Sequence, residues 1–357
     1  MSYTFLTIVQ SATAAIQELL KYNTIGTPGQ SMLYQHMEVP KKIDTISDPY
    51  FVTLAKEHTI IGMCCCCSRV TLNTAKHIPS FYLRYFTFKD AYRTSGKTSF
   101  RKNPKASILR KEILQLLSGD GLGERAKGSF FHYAYVDPEN SRSTILCKEF
   151  GFTPVRTFST VIFNRLFPKR SVAIEKISSS QVHEIKELLT EYYKAHTMFS
   201  FENLFNMRDY HVVRDENNTI IAGVQANPDR WKILELPGIS GKPMLRIFSA
   251  LPYLNTLIKK EYRFLTLDGI YISPGHERSF ERLVESLLAM YKLHTAMTWA
   301  DRESDLYIYL KSMDLGFVNM LTKEVRANVL CKFVRLKKTD EELFRSHPAY
   351  ISGIDLT

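Results

Sequence analysis

FYLRYFTFKDAYRTSGKTSFRKNPKASILRKEILQLL, residues Phe81 to Leu117, is the stretch from which the rest of the chain is read. Its first eight residues, Phe81 to Phe88, are rich in aromatics and predict a strand. Tyr92 to Asn103 is polar, with one glycine and several hydroxyls, and predicts a turn. Pro104 then opens a helical pattern in which Ile108, Leu109, Ile113, Leu116 and Leu117 share one face, with Asn103 as N-cap and Pro104 as first helical residue. Between Arg84 and Lys111 stand nine Lys or Arg and a single acid, Asp90. Backbone N–H groups at a turn and a helix start attract phosphate, and clustered cations add to that field. The stretch is therefore a candidate phosphate cradle. A solvated basic loop capping an ordinary helix is the alternative reading of the same residues.

Upstream, Tyr50 to Val70 predicts two strands joined by a polar turn near Lys56–His58. The pattern returns at Tyr210. Tyr50 matches Tyr210, Val52 matches Val212, and Thr59-Ile60-Ile61 matches Thr219-Ile220-Ile221, all at an offset of 160 residues. Gly62 falls one place short of Gly223. A second echo sets Glu149-Phe150-Gly151-Phe152 against Asp314-Leu315-Gly316-Phe317. Two echoes in the same order argue for an internal duplication. Each copy reads strand, helix, hairpin, strand, turn, helix, strand, helix, Gly-Phe, strand, with the seam at Phe167–Arg170. Two strands are expected over Thr153–Leu166, a loop over residues 23–48, and a helix over Pro243–Lys259. The basic tail past Arg335 carries no strong signal.

A length of 357 residues suits two domains, and 45% hydrophobic with 23% charged residues suits a soluble globular chain. No apolar run reaches the length of a membrane span, and the first residues lack the early positive charge of a signal peptide. The formal net charge of +11 implies an anionic partner: a phosphorylated cofactor, a nucleic acid or an anionic surface. Four of the six cysteines are consecutive, Cys64 to Cys67. Neighbours on a strand point to opposite faces, so the run does not converge on one metal, and it reads as small buried hydrophobes. Thiols without a disulfide-like pattern predict a reducing, cytoplasmic setting.

The order of elements resembles the GNAT acyltransferase superfamily over nearly the whole chain, as two tandem copies. The resemblance implies an α/β (α+β) fold of two GNAT-like domains, residues 1–168 and 169–357, each a mixed, mostly antiparallel sheet flanked by helices. The superfamily's cofactor signature after its fourth strand is Arg or Gln, two residues, Gly, one residue, Gly or Ala. Here it is matched by Arg93, Thr94, Ser95, Gly96, Lys97 and Thr98, with Thr98 replacing the last small residue. The resemblance implies that this backbone holds the pyrophosphate of acetyl-CoA or another acyl-CoA. It also puts the N–H of about Phe88 beside a developing oxyanion, and matches the family's asparagine after the fifth strand to Asn140. The position of the family's general-acid tyrosine is Cys147; its thiol is a candidate proton donor, and a buried helix cysteine is the alternative reading. In the second copy the signature is replaced by Ser273-Pro274-Gly275-His276-Glu277, so that copy is expected to bind coenzyme A poorly.

Asp268, in an apolar strand, and His132, on the strand Ser129–Val136, are candidate bases. A hydrogen-bonded structural acid and a core histidine are the respective alternatives. The leading functional reading is acyl-CoA-dependent transfer to an amine of a small molecule or peptide. The competing readings are aminoacyl transfer from tRNA and a non-catalytic binding module. No metal-ligand spacing stands out.

Overall fold

The computed structural model describes residues 3–57, 59–89, 104–205, 209–236, 260–317, 319 and 324–356. The first half contains β1 (Leu6–Val9), α1 (Ala14–Lys21), β2 (Leu33–His36), α2 (Val39–Asp44), β3 (Pro49–Lys56), β4 (Thr59–Asn73) and β5 (Lys76–Phe88). It continues with α3 (Pro104–Leu117), β6 (Phe130–Val136), α4 (Ser141–Glu149) and β7 (Thr153–Asn164). The second half contains β8 (Glu175–Lys176), α5 (Val182–Tyr192), β9 (Tyr210–Arg214), β10 (Ile220–Glu235) and β11 (Glu261–Ile272). It ends with α6 (Glu277–Tyr291), β12 (Thr295–Asp301), α7 (Asp305–Ser312), β13 (Arg326–Val334), α8 (Lys338–Ser346) and a tail that reaches the core.

The strands form one sheet in the order β1-β3-β4-β5-β6-β13-β7-β12-β11-β10-β9-β8, with β2 added on β10. Read from either end, the order is the same pattern. The last strand of each half is exchanged: β13 pairs with β6 of the first half, and β7 pairs with β12 of the second. The division expected at 168/169 falls between β7 and β8, and one sheet runs across it.

The echoed hairpins are β3–β4 and β9–β10, and both copies carry the same bulge one strand further in. Met63 and Cys65 face Thr87 and Arg84, skipping Tyr85 and Phe86. Gly223 and Gln225 face Tyr271 and Asp268, skipping Gly269 and Ile270. The offset of 160 is kept at the bulge. The echoed tyrosines are one place out, however: Tyr210 lies opposite Gln225, while Phe51, not Tyr50, lies opposite Cys65. The paired positions stand 14 residues apart in the first hairpin, Phe51 to Cys65, and 15 apart in the second, Tyr210 to Gln225.

Alternation along β4 sends Cys65 and Cys67 to the central core and Cys66 to the opposite face with Phe81 and Leu116. Helix α6 buries Phe280, Leu283, Val284, Leu287 and Leu288 on one stripe against the second half's sheet, each burial stabilising by about 1.5–3 kcal/mol. The other face of the sheet closes around a core that draws on both halves, from Phe51, Tyr82 and Tyr133 to Trp231, Phe264 and Trp299.

Three expectations change. Thr153–Asn164 is one strand, because β13 and β12 flank it along its length. The expected loop over 23–48 holds β2 and α2. The tail past Arg335 forms α8 and then a buried segment in which Tyr350, Ile351 and Ile354 belong to the core. The helix expected over Pro243–Lys259 lies outside the described residues.

Candidate active site

A parallel strand pair with few ladder bonds opens into a wedge, and the fold has two. β5 pairs with β6 only over Ser80–Tyr82 and Phe131–Tyr133. β11 pairs with β12 only over Leu265–Thr266 and Ala296–Met297. Just past each fork stands the bulge, and its first skipped residue is left-handed in both copies: Tyr85 at φ 56° and Gly269 at φ 55°. That conformation costs a bulky side chain free energy, and such outliers gather at functional sites. The residues before them are of opposite charge, Arg84 in the first copy and Asp268 in the second.

The first wedge is lined by the far end of β5. Phe86 is 51% exposed, whereas its counterpart Ile270 is 2% exposed, so only the first wedge presents its bulge to solvent. Phe86 meets Phe88 edge to face at 5.3 Å. A Cβ on Gly62 would stand 2.4 Å from the Phe88 ring, so the glycine is what lets that ring lie across β4. Lys89 N–H donates to Ile61 O of β4. By the alternation of a strand, the N–H of Phe88 points the other way, toward the wedge. Cys147 on α4 is half-buried beside this wedge. Burial, with the nearby Cys64 thiol, pushes its own thiol up to about 11 and keeps it protonated.

The second wedge is filled by the protein itself. Ala349, Tyr350 and Ile351 of the tail pack there, leaving a small cavity that they line with Gly269, Ile270, Thr298, Trp299 and Ala300. The backbone of β11 past the fork is bonded by side chains: Tyr210 Oη donates to Gly269 O at 2.8 Å and Tyr193 Oη to Ile270 O at 2.8 Å. Gly353 packs so closely that a Cβ there would lie 2.7 Å from Thr266 Cγ2. The helix start that follows is also taken. Gly275 N–H donates to the Glu277 carboxylate at 3.1 Å, and backbone N–H groups, chiefly its own, hold that acid below its usual range.

Between the wedges runs a buried polar chain. Arg69 makes a two-pronged ion pair with Asp355, both contacts 2.6 Å, and donates to Tyr133 Oη at 3.0 Å. Asn203 donates to Asp355 at 2.9 Å and to Ser352 Oγ at 2.8 Å. Ser352 Oγ donates to Asp268 at 2.6 Å, and Tyr350 Oη donates to the other oxygen of Asp268. Burial works to raise the Asp355 pKa, but Arg69 overrides it and holds the acid below its usual range. Asp268 goes the other way: burial raises it against the hydrogen bonds of Ser352 and Tyr350. Tyr82 Oη donates to the Asp355 carbonyl at 3.0 Å. Tyr82 and Tyr133 are the last pair before the first fork, so the tail runs from the second wedge to the mouth of the first.

The sequence-derived candidates fall in different places. Asp268 is enclosed in the second wedge with its oxygens bonded, the arrangement of a structural acid. His132 is fully buried under α3; its Nε2–H donates to Leu117 O at 3.0 Å, and burial pushes it down to about 3. Asn140 caps α4, accepting from Ser143 N–H at 3.0 Å. Phe88 and Cys147 flank the first wedge. Arg93, Thr94, Ser95, Gly96, Lys97 and Thr98 lie outside the described residues, between β5 and α3. Among the described residues no group of His, Cys, Asp and Glu could hold a metal, and no helix is long and apolar enough to cross a membrane. Sequence reasoning passed over Tyr85, the tail and His36. The alternating stretch Leu33–His36 between Gly29 and Pro40 was the available signal for β2.

No protein-family model matches the chain, and no curated protein matches it by sequence. Solved structures do. N-myristoyltransferase from Saccharomyces cerevisiae with bound myristoyl-CoA superposes with a TM-score of 0.57 at 10% identity, over 93% of this chain and 83% of that one. A second structure of that enzyme with myristoyl-CoA gives 0.56 at 10% identity, over 100% of this chain and 84% of the other. A GCN5-related N-acetyltransferase from Kribbella flavida gives 0.49 at 10% identity, over 92% and 71%. The chain shares the fold of these N-myristoyltransferase structures, built as two similar halves within one sheet.

Proposed function

We propose that the chain is an acyl-CoA-dependent N-acyltransferase that holds the thioester in its first wedge. The observation that carries this reading is the contrast between the wedges: equal bulges, one exposed and followed by a basic turn, the other filled by the tail and followed by an acid. The similar enzyme from yeast was solved with an acyl-CoA, which supports a coenzyme A thioester as donor. Acetyl-CoA and longer acyl-CoA are both compatible with an open wedge end.

In this reading an amine attacks the thioester carbonyl, the C–N bond forms and the C–S bond breaks. Phe88 N–H donates to the oxyanion that develops between those events. The Cys147 thiol, neutral at physiological pH, donates a proton to the departing thiolate. Backbone N–H groups of Thr94 to Thr98 carry the pyrophosphate, with Lys97, Arg101 or Lys102 on the nucleotide phosphates. The acceptor is an amine of a small molecule or peptide, bound near the seam of the two halves.

The test is calorimetric titration with acetyl-CoA and myristoyl-CoA. One site per chain is expected, and Gly96→Val should weaken it by at least about tenfold, or about 1.4 kcal/mol, while leaving the melting temperature of the free protein unchanged. Two equivalent sites, or one site indifferent to Gly96→Val, would refute the assignment.

A further inference from the structure

The core beside the first wedge contains polar groups that nothing among the described residues satisfies. His36 is 9% exposed, and neither of its ring nitrogens has a hydrogen-bond partner. The same holds for Trp231 Nε1 and Tyr85 Oη, on side chains 5% and 9% exposed. Buried polar groups are almost always paired, and each exception calls for an explanation. Three exceptions in one core, one of them the strained residue of the bulge, point to a polar ligand.

The fold brings His36 there from a distance. β2 leaves the first half to lie on β10 of the second, with His36 opposite Trp231 and their rings stacked at 5.8 Å. Tyr34 stacks on the same indole at 4.2 Å. The segment before β2 is tied to the end of β5. Gln35 Nε2 donates to Tyr22 O at 3.2 Å, Ile25 bridges Tyr34, and Thr87 Oγ1 donates to Asn23 Oδ1 at 2.8 Å. The imidazole is thus fixed by stacking, between the two halves and alongside the strand that forms the first wedge.

We propose that His36 is the proton acceptor for the incoming amine, an inference that rests on the acyltransferase reading above. The amine nitrogen forms its bond to the thioester carbonyl carbon. As it does so, one N–H proton passes to an unpaired ring nitrogen of His36. The C–S bond then breaks, and the thiolate leaves with a proton from its own donor. The amide, the free thiol, a protonated imidazole and the deprotonated Cys147 account for all atoms and charge; His36 then returns its proton to solvent, and Cys147 takes one back from it. Burial, with Lys42 on α2 and Arg84 on β5, holds His36 well below its ordinary range and so in the neutral form a base requires. The same surroundings disfavour an ammonium and favour the neutral, nucleophilic amine. Trp231 Nε1–H and Tyr85 Oη remain to orient the acceptor.

The experiment uses the full chain, acetyl-CoA and myristoyl-CoA as donors, and n-propylamine, spermidine and a short peptide with a free N-terminus as acceptors, with release of free thiol as readout. His36→Ala should bind the thioester as the native chain does but lose transfer by about 10²–10⁴-fold. Imidazole added to that variant should restore at least about tenfold, whereas pyrazole, of the same shape and far less basic, should not. His36→Asn should be as slow as His36→Ala and decides the matter if the alanine variant does not fold. Transfer by a folded variant within about threefold of the native rate would overturn the proposal. So would equal rescue by the two azoles, which marks a ring that only fills space, or no rescue by imidazole in folded His36→Ala. A native chain that binds neither thioester refutes the acyltransferase reading itself. One that binds but transfers to none of the amines refutes both.

Discussion

The two wedges are built alike. Each has a short parallel ladder, a bulge at the same register and a left-handed residue at φ 56° or 55°. They now differ in what meets the backbone past the fork. In the second wedge, tyrosines and the tail bond to it, and Ile270 is buried; in the first, Phe86 faces solvent. The left-handed residue differs accordingly. The sealed copy uses glycine, which takes that conformation without penalty, and the open copy keeps a tyrosine in it. A fold with two like halves has two places for a ligand site, and here one is taken by the tail that joins the halves.

The largest effect expected follows from the exchange of last strands. Residues 1–168 alone lack β13, so the buried β6 becomes an edge, and β7 loses β12 as well. Exposed apolar edge strands are unstable and associate. That fragment should show no cooperative thermal transition by circular dichroism, and mixing it with residues 169–357 should restore one. A sharp melt from the isolated fragment would mean that the halves are independent despite the shared sheet.

Next in size is the link between the wedges. Arg69 and Asp355 are both almost fully buried. Asp355→Asn leaves the guanidinium uncompensated and should cost about 3–5 kcal/mol in denaturant unfolding, whereas replacing both partners by apolar residues of similar volume should recover most of that loss. If Asp355→Asn costs no more than a surface change, the tail does not hold the halves together.

How much of this was legible in the sequence follows from the range of the interactions. The hairpin echo and the facing of Cys65, Cys66 and Cys67 depend on period two and were readable. So was the asymmetry of the two turns, since Glu277 announces itself beside a helix start. The exchange of β7 and β13 was not, because both strands look the same whichever neighbour they take. Nor was the tail. Tyr350 to Ile354 is too short to show a period, and its burial depends on Arg69, 286 residues away from Asp355. Asp268 looked like a base because an acid in an apolar strand has few explanations; its partners Tyr350 and Ser352 lie more than 80 residues downstream. His36 went unread because β2 makes sense only once β10 is beside it.

The smallest effect separates the two buried acids. Asp355 is held down by Arg69, and Asp268 is pushed up by burial with hydroxyl and backbone donors only. The signs of their linkage to pH are therefore opposite. Where the folded pKa is raised, the folded state keeps its proton at a pH where the unfolded chain, near the ordinary carboxylate value of about 3.9, has lost it. The contribution of Asp268 to stability is thus fully present below that value and is lost as pH rises through its folded pKa. Asp268→Asn keeps the size of the side chain and an oxygen for Ser352 or Tyr350, and cannot ionise. Denaturant unfolding of wild type and variant from pH 4 to pH 8 should show the wild type losing ground to Asp268→Asn as pH rises, by about 1 kcal/mol or more. Asp355→Asn should do the reverse: its deficit should narrow as pH falls through the folded pKa of Asp355. A gap between wild type and Asp268→Asn that does not change with pH would show that Asp268 is ionised in both states alike, and that its place in the sealed wedge resembles that of Asp355 after all.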